Sequence, residues 1–528
     1  MSSYTYRHYP YRRPAELDGG GGRRPVVIVG AGMAGPTLAL ALAQRGVASV
    51  VLDEDDTVSL GSRSICQAKH SLETWDRFGV ASRMVEKGIT WEEGELYLHD
   101  KPVFRFNLQP EPGHKFPAFV NLQQYYVEEY LFERCLAEPL VEMRFRNKVV
   151  AVTPGTDGVA LEVETPDGRY AFEADWLVAC DGVRSTVRHL MDLPYPGEVF
   201  HDRFLISDIR LLSELPKERR FWFYPPFHPT NSVLLHRQAD NVLRVDFQLG
   251  PDADPEEEKK PENIDRRLRQ MFGPEARWEH EWTSVYTFTC RIMERFVHGR
   301  VIFAGDAAHV VSPFGARGGN GAIADVDNLA WKLAMVLGGT APVSLLDSYC
   351  SERRAAAQEN ILNSTRSTDF ITPKFAASRA FRDATLALAR DFPFARALIN
   401  SGRLSVPTVQ PGSPLDTPDC DTDWVRGPGP GRAMVDAPVG RDGSGWLIDR
   451  LGPDFTLLTF GELDLPSADL PPRVTCVRIA GDGLARQRYD ARPGTSYLIR
   501  PDRYVAARWR RFDAASVAAA VRRATGNG

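Results

Sequence analysis

No run of about 18 apolar residues free of charge occurs in the sequence, so a membrane-spanning helix is not expected. The opening segment, MSSYTYRHYPYRRPAELDGGGGRR, lacks the apolar core of a secretion signal. Arg, Tyr and Pro stand there instead, and residues 1–24 read as a flexible tail ending in a four-glycine hinge. No CxxC pair occurs among the 7 cysteines, which are scattered (Cys66, Cys135, Cys180, Cys290, Cys350, Cys420, Cys476). That excludes a disulfide framework and a zinc site, predicts no bound metal, and fits a reducing cytoplasm. A basic excess is also missing: Lys+Arg 64 against Asp+Glu 69 gives a net charge of -5, which offers nucleic acid no footprint. The local cluster Lys217, Arg219 and Arg220 reads as solvated surface. No fixed-period repeat is found.

What is present is a globular composition, 43% hydrophobic and 25% charged over 528 residues, long enough for roughly three domains. PVVIVGAGMAGPTLALALAQRGVASVVLDED reads as strand, glycine turn, helix, strand. Short alternating segments follow between Thr90 and Pro117, and residues 148–179 read as antiparallel strands with PGTDG and PDG turns. Residues 200–250 are rich in aromatic and β-branched residues and predict a second sheet. Helices are expected through residues 345–398, and Pro and Gly accumulate from Val406 to Arg432 as a linker.

Three motifs carry chemistry. Gly30, Gly32 and Gly35 form GxGxxG between a strand and a helix. The first permits a tight turn, the second lets backbone N–H groups approach a pyrophosphate, and the third lets helix and strand pack. Asp53 ends the next strand, where an acid binds a ribose hydroxyl. This unit predicts a dinucleotide without separating FAD from NAD. WLVACDGVRSTVR runs a strand into Asp181, which taken alone is equally a DG turn before a helix cap. RVIFAGDAAHVVSPFGARGGNGAIADVDNLAWKL is more specific. A strand delivers Gly305 and Asp306, placed to accept a ribityl hydroxyl; Gly318, Gly319 and Asn320 then open a helix whose N–H groups suit an electron-rich ring edge. His309 reads as orienting this loop.

In this order and spacing the motifs resemble the single-component (class A) FAD-dependent aromatic hydroxylases, the group of p-hydroxybenzoate, phenol and 3-(3-hydroxyphenyl)propionate hydroxylases. The resemblance covers residues 25–354. It implies that Gly30, Gly32, Gly35 and Asp53 hold ADP-ribose, that Arg63 and Gln124 lie near the phosphates and ribityl chain, and that Asp181 serves FAD and NAD(P)H. It further implies that Gly305 and Asp306 hold the ribityl chain, and that Gly318, Gly319 and Asn320 form the isoalloxazine loop. Pro313 would then lie beside the reactive ring, and Arg317 would favour its anionic reduced form. Ser312 and Gly319 depart from the family's commoner residues.

The implied cycle has NADPH or NADH reduce a non-covalent FAD; O2 adds at C4a, and the hydroperoxide oxygenates a small phenolic substrate. The substrate-activating side chain is not readable. Tyr224, His236 and Tyr286 are the catalytic candidates, with His228 and Arg244 beside them. Each has a plainer reading: core aromatics for the tyrosines, a strand histidine for His236, a surface residue for Arg244. A tailoring monooxygenase acting on a larger polyketide or alkaloid is the alternative, and a non-catalytic flavin-binding sensor the alternative of another class. A halogenase is disfavoured because no GWxWxIP segment occurs.

The expected architecture is α/β plus α+β. A Rossmann-like FAD domain like that of p-hydroxybenzoate hydroxylase takes 25–90, 119–192 and 286–365, and an inserted antiparallel-sheet substrate domain takes 91–118 and 193–285. A helical segment covers 366–404 and the linker 405–432. Residues 433–528 resemble the thioredoxin-like extension of phenol-hydroxylase-type members. Lacking CxxC, that unit is read as serving docking, stability or the contacts of a homodimer, with Cys476 in its core.

Overall fold

The computed structural model describes residues 4–19, 21–212, 219–250, 252–399, 404–440, 445–461, 470–480 and 483–528; Lys217 lies outside them. Its principal elements are β1 (Arg23–Val29), α1 (Ala34–Ala43), β2 (Ser49–Leu52), α2 (Lys69–Asp76), α3 (Gln124–Leu136), α4 (Gly318–Leu337), α5 (Leu345–Ile371), α6 (Ala376–Asp391) and α7 (Ala514–Ala524).

The first sheet has β1 at its centre, paired in parallel with β2 and with Gly168–Ala179. Val141–Arg144 and Val301–Phe303 extend it in parallel on either side. Val26, Val27 and Ile28 are all buried, because helices cover both faces of a parallel sheet and remove the usual alternation. Two further strands, Lys148–Pro154 and Val159–Thr165, continue Gly168–Ala179 as an antiparallel meander.

The second sheet has eight strands and runs from His309–Val310 to Lys101–Asn107. Gly197–Leu211 lies between Trp278–Ile292 and Val242–Gln248, antiparallel to both. The hairpin of Glu93–Leu98 and Lys101–Asn107 joins it through a parallel pairing with Arg219–Phe223. α6 roofs one face: Leu386 and Ala389 share a core with Phe204, Phe223, Phe288 and Phe314.

The third sheet orders Val474–Ile479, Phe455–Phe460, Ser496–Ile499 and Val505–Trp509, with the first pair parallel and the other two antiparallel. Trp331 and Met335 of α4 enter its core beside Phe455 and Val517. A buried ionic network completes this seam. Glu352 accepts from Lys332 at 2.7 Å and from Arg500 at 2.7 Å, and Arg500 also reaches Asp502 at 2.6 Å. Burial opposes ionisation of Glu352, but Arg500 and Lys332 outweigh it and hold the carboxyl well below its usual range.

Three expectations need correction. The tail is packed. Tyr4 stacks on Tyr125 with ring centroids 4.2 Å apart, Tyr9 stacks on Phe145 at 4.9 Å, and the Tyr9 N–H donates to Asp56 O at 2.7 Å. Aromatic faces in that segment bury too much apolar surface to stay in water. Cys476 is exposed, because Val474–Ile479 is the edge strand of its sheet. The segment 405–432 is irregular, yet it is tied down by the hydroxyl of Tyr504 on Thr408 O at 3.0 Å and by Arg508 on Asp419.

Candidate active site

β1 ends in a turn that only glycine fits. Gly30 has φ +102°, and a Cβ there would lie 2.5 Å from Cys180 O. A Cβ on Gly35 would run into the carbonyl of Gly30, so that position is set by helix–strand packing. Gly32 differs: the only atom near its Cβ position is Glu128 Oε1, 3.9 Å away, so its flank is open. Asp53 staples the turn from the end of β2, accepting the N–H of Ala31 at 2.5 Å and of Asp55 at 2.9 Å. Burial pushes its pKa up to about 6.

Glu128 on α3 was not singled out in the sequence. It accepts the Ser59 N–H at 2.7 Å, the Ser59 hydroxyl at 2.9 Å and Gln124 Nε2 at 2.8 Å, and burial raises its pKa to about 7. Gln124 Oε1 in turn accepts the Ser64 N–H at 3.2 Å, and the Tyr6 hydroxyl accepts the Gly61 N–H at 2.9 Å. The exposed Arg63 therefore sits on a loop held from both sides.

The DG and GD segments are stitched together. Asp181 Oδ2 accepts the Val187 N–H at 3.0 Å, while its Oδ1 is buried with no hydrogen-bond partner; burial raises the carboxyl's pKa. Arg188 donates to Ala307 O at 2.8 Å, and the Tyr195 hydroxyl donates to Asp306 O at 2.8 Å. Asp325 is the anchor beneath. It accepts the Gly305 N–H at 3.0 Å, His309 Nε2 at 2.6 Å and Arg353 at 2.7 Å. Burial raises the pKa of Asp306, against the pull of His309 and Arg63, and pushes Tyr286 up to about 12 with Asp306 adding to it. Asp306, Arg63 and Tyr286 thus share one electrostatic neighbourhood.

Asn320 is a staple. Its Oδ1 accepts the Ala68 N–H at 2.9 Å and the Ser71 hydroxyl at 2.8 Å, and its Nδ2 donates to Cys66 O at 2.9 Å and Ala316 O at 2.7 Å. All four bonds are spent on protein, so any ring contact in this loop falls to backbone groups of Gly318 and Gly319. A Cβ on Gly319 would meet Met33 Cε and Ser64 Oγ, each at 2.8 Å. Pro313 is exposed. Arg317 is buried under the loop and donates to Asn360 Oδ1 at 2.9 Å. Ser312 meets Thr368 at 3.0 Å, a bond proline lacks.

The remaining candidates disperse. Tyr224 has φ +52° and hydrogen-bonds Arg382 on α6; His228, in the turn before Ser232–Arg237, bonds Gln248 O at 2.8 Å at the end of strand Val242–Gln248. Arg244 is no surface residue. It forks onto Asp208 at 2.7 Å by two nitrogens and donates to Ser62 O, joining the second sheet to the Arg63 loop. His236 is buried and kept neutral by desolvation and by Arg219 and Arg244; its Nδ1 has no hydrogen-bond partner. Nearby Asp246 is pushed up to about 7 by burial.

An aromatic cavity opens beside this group, walled by Phe221, Phe223, Phe314, Gly315 and Phe370. One cation faces it. Arg219, expected on the surface, lines the cavity with its guanidinium 5.6 Å from the Trp91 ring centre. Among the described residues no carboxylate lies within 4.0 Å of it, and burial lowers its pKa. Alternation placed Arg219 and Arg220 on opposite faces, and Arg220 took the solvent side with Glu95 at 3.4 Å.

The donor set fits a bound dinucleotide: an open flank at Gly32, an orphaned Asp181 oxygen and a desolvated Asp306 converge where the motifs meet. Fold and site together define a flavin-dependent monooxygenase. Residues 23–364 match the family described as FAD binding domain, and the chain belongs to it. It is 30% identical over 514 residues to the 3-(3-hydroxy-phenyl)propionate/3-hydroxycinnamic acid hydroxylase of Mycolicibacterium gilvum (strain PYR-GCK), covering 91% of this chain and 88% of that one. A flavin-dependent monooxygenase of Mycobacteroides abscessus is 30% identical over 523 residues, 91% of this chain and 96% of its own. Among solved structures, the anhydrotetracycline hydroxylase OxyS from Streptomyces rimosus superposes with TM-score 0.74 at 27% identity, covering 96% of this chain and 99% of that one. The flavin-dependent monooxygenase PieE gives TM-score 0.80 at 21% identity, over 96% and 99%, a likeness of fold alone. The chain is an FAD-dependent oxidoreductase of the aromatic-hydroxylase class.

Proposed function

We propose that the enzyme hydroxylates a phenolic ring ortho or para to its hydroxyl, with NADPH or NADH and O2 as co-substrates and FAD held without a covalent bond. One observation carries this reading. A single loop serves both sites: Phe314 and Gly315 wall the aromatic cavity, and Gly318 and Gly319 begin the helix that faces the cradle. When bound, FAD supplies the hydride acceptor and the oxygen-activating chemistry.

The protein's part is positioning and charge. Gly30 and Gly32 and the start of α1 receive the pyrophosphate, Asp53 the ribose, and Arg63, Gln124 and Asp306 the ribityl chain. Backbone N–H groups of Gly318 and Gly319 favour negative charge on the ring. Tyr286, with its pKa near 12, is an O–H donor at neutral pH rather than a base. Arg219 stabilises a phenolate by charge and so lowers the substrate's own pKa. Phe314, Phe370 and the roof of α6 exclude water.

The larger-substrate reading, a tailoring monooxygenase, draws support from the likeness to OxyS. Substrate-accelerated NAD(P)H consumption in air, followed by mass analysis for a gain of one oxygen, tests both readings. Acceleration by no phenol and no polycyclic phenol defeats both and leaves a flavin-binding sensor.

The third sheet supports a thioredoxin-like C-terminal unit, since its strand order and its parallel-then-antiparallel pattern are those of that fold. Seven free cysteines support a cytoplasmic setting. The exposed apolar residues Phe375, Phe381, Leu388 and Phe394 on and around α6 support pairing of two copies, which sedimentation tests.

A further inference from the structure

A second, larger cavity of about 710 Å³ lies between α2, α4, the segment 405–409 and the C-terminal unit. It shares no lining residue with the aromatic cavity. Its volume is that of a small-molecule site. Apolar groups such as Val406, Met434 and Leu484 form part of its wall.

The polar part of the wall holds more N–H groups than acceptors. Behind the wall, His114 has the lining residues Lys69 and Arg488 on its two nitrogens, Lys69 Nζ 3.2 Å from Nδ1 and Arg488 Nη2 3.3 Å from Nε2, while Arg488 also donates to Gly113 O at 2.6 Å, Pro112 O at 2.5 Å and Asp436 O. Lysine and arginine only donate, and a neutral imidazole has a single acceptor nitrogen, so one of the two contacts sets donor against donor. Protonating the ring worsens this, and burial with Lys69 and Arg488 keeps its pKa down at about 4. Lys69 Nζ has no other hydrogen-bond partner among the described residues and no carboxylate within 4.0 Å. Arg503 lines the cavity at 8% exposure, and its Nη1 is buried without a hydrogen-bond partner, the nearest carboxylate oxygen being Glu73 Oε2 at 3.6 Å.

The wall also carries the exposed acid Glu111, while its other acids are engaged. Asp327 is taken by Arg77 and Arg503, and Asp502 by Arg500. Asp436 accepts the N–H groups of Lys115 and Ile448, and burial raises the pKa of Glu73 toward its neutral form. Exposed Arg426 and Arg432 add positive charge at the rim.

We propose that this cavity is a ligand site separate from the catalytic one, taking an organic anion whose phosphate or carboxylate lies between Lys69, Arg488 and Arg503. The anion's oxygens accept the surplus N–H groups, and its body covers the apolar wall.

Calorimetric titration of the FAD-loaded enzyme tests this, with inorganic pyrophosphate and citrate as probes against sodium chloride at matched ionic strength. The cofactor's own phosphate site is then filled. Binding of one or both probes at or below about 1 mM is expected. Pyrophosphate alone indicates a phosphate ligand, and citrate alone a carboxylate. Lys69→Met should weaken the bound probe about tenfold with flavin absorbance unchanged. Arg432→Gln, an exposed change that spares folding, should weaken it severalfold and decides the matter if Lys69→Met fails to fold. No heat beyond the chloride control overturns the proposal, as does equal binding by wild type and both variants.

Discussion

Replacing Asn320 by aspartate turns one NH2 into an oxygen and changes almost nothing in volume. The two bonds accepted by Oδ1, from Ala68 and Ser71, survive; the two donated by Nδ2, to Cys66 O at 2.9 Å and Ala316 O at 2.7 Å, are lost. Each buried carbonyl left without a donor costs about 1–3 kcal/mol, so the loop before α4 loses about 2–6 kcal/mol of its anchoring. At the low end, about 2 kcal/mol, this is about a thirtyfold shift toward an undocked loop, and FAD should dissociate about thirtyfold more readily. The defect is also pH-dependent. A buried aspartate facing two carbonyls has a folded pKa above its ordinary value of about 3.9, so the folded variant binds more protons over that interval. Stability is therefore kept at low pH and lost as pH rises. Flavin fluorescence titrations and thermal unfolding of wild type and Asn320→Asp, run at several pH values from about 5 to 8, check both statements. Equal FAD affinity and equal stability throughout would refute the assignment of Asn320 as the staple of this loop.

Further outcomes follow from other parts of the molecule. FAD affinity should fall as pH rises through about 7, because ionising Glu128 sets a carboxylate beside the open flank of Gly32 where the phosphates belong; Glu128→Gln should flatten that profile in fluorescence titrations. Tyr6→Phe leaves the Gly61 N–H without its acceptor and should cost about 1 kcal/mol, read as about a fivefold rise in the FAD dissociation constant. Arg219→Met should raise KM for an anionic or phenolic substrate more than tenfold while leaving NAD(P)H oxidation without substrate unchanged; an unaltered KM would remove Arg219 from the site. Arg500→Met takes the cation from Asp502 and leaves Glu352 with Lys332 as its cation, a loss of about 3 kcal/mol, and limited proteolysis should then release the C-terminal unit first.

Motifs that answer a local backbone demand were legible in the sequence. Gly30 needs a positive φ and Gly35 a close approach, and both demands arise within a few residues of chain. Gly305, with φ +61° after the strand Val301–Phe303, answers a demand of the same kind. What escaped were pairings across long stretches. Glu128 meets Ser59 over 69 residues and Arg500 meets Glu352 over 148, and no spacing rule links them. Arg219 and Arg220 both read as surface; alternation turns them opposite ways, and which face is inner depends on a hairpin, Glu93–Leu98 with Lys101–Asn107, far back in the chain. The tail misled because Arg and Pro between its tyrosines mimic a solvated segment. The bond from Arg317 to Asn360 of helix α5 escaped as well, since no motif announces that acceptor.

The exposed position of Cys476 on an edge strand has a practical use. Cys420 is the other exposed thiol; Cys66, Cys135, Cys180 and Cys290 are buried, and Cys350 is partly covered. With Cys420 replaced by serine, a maleimide dye would attach selectively at Cys476, remote from the flavin cradle. Such a label turns the third sheet into an optical reporter of whether its unit stays seated during turnover.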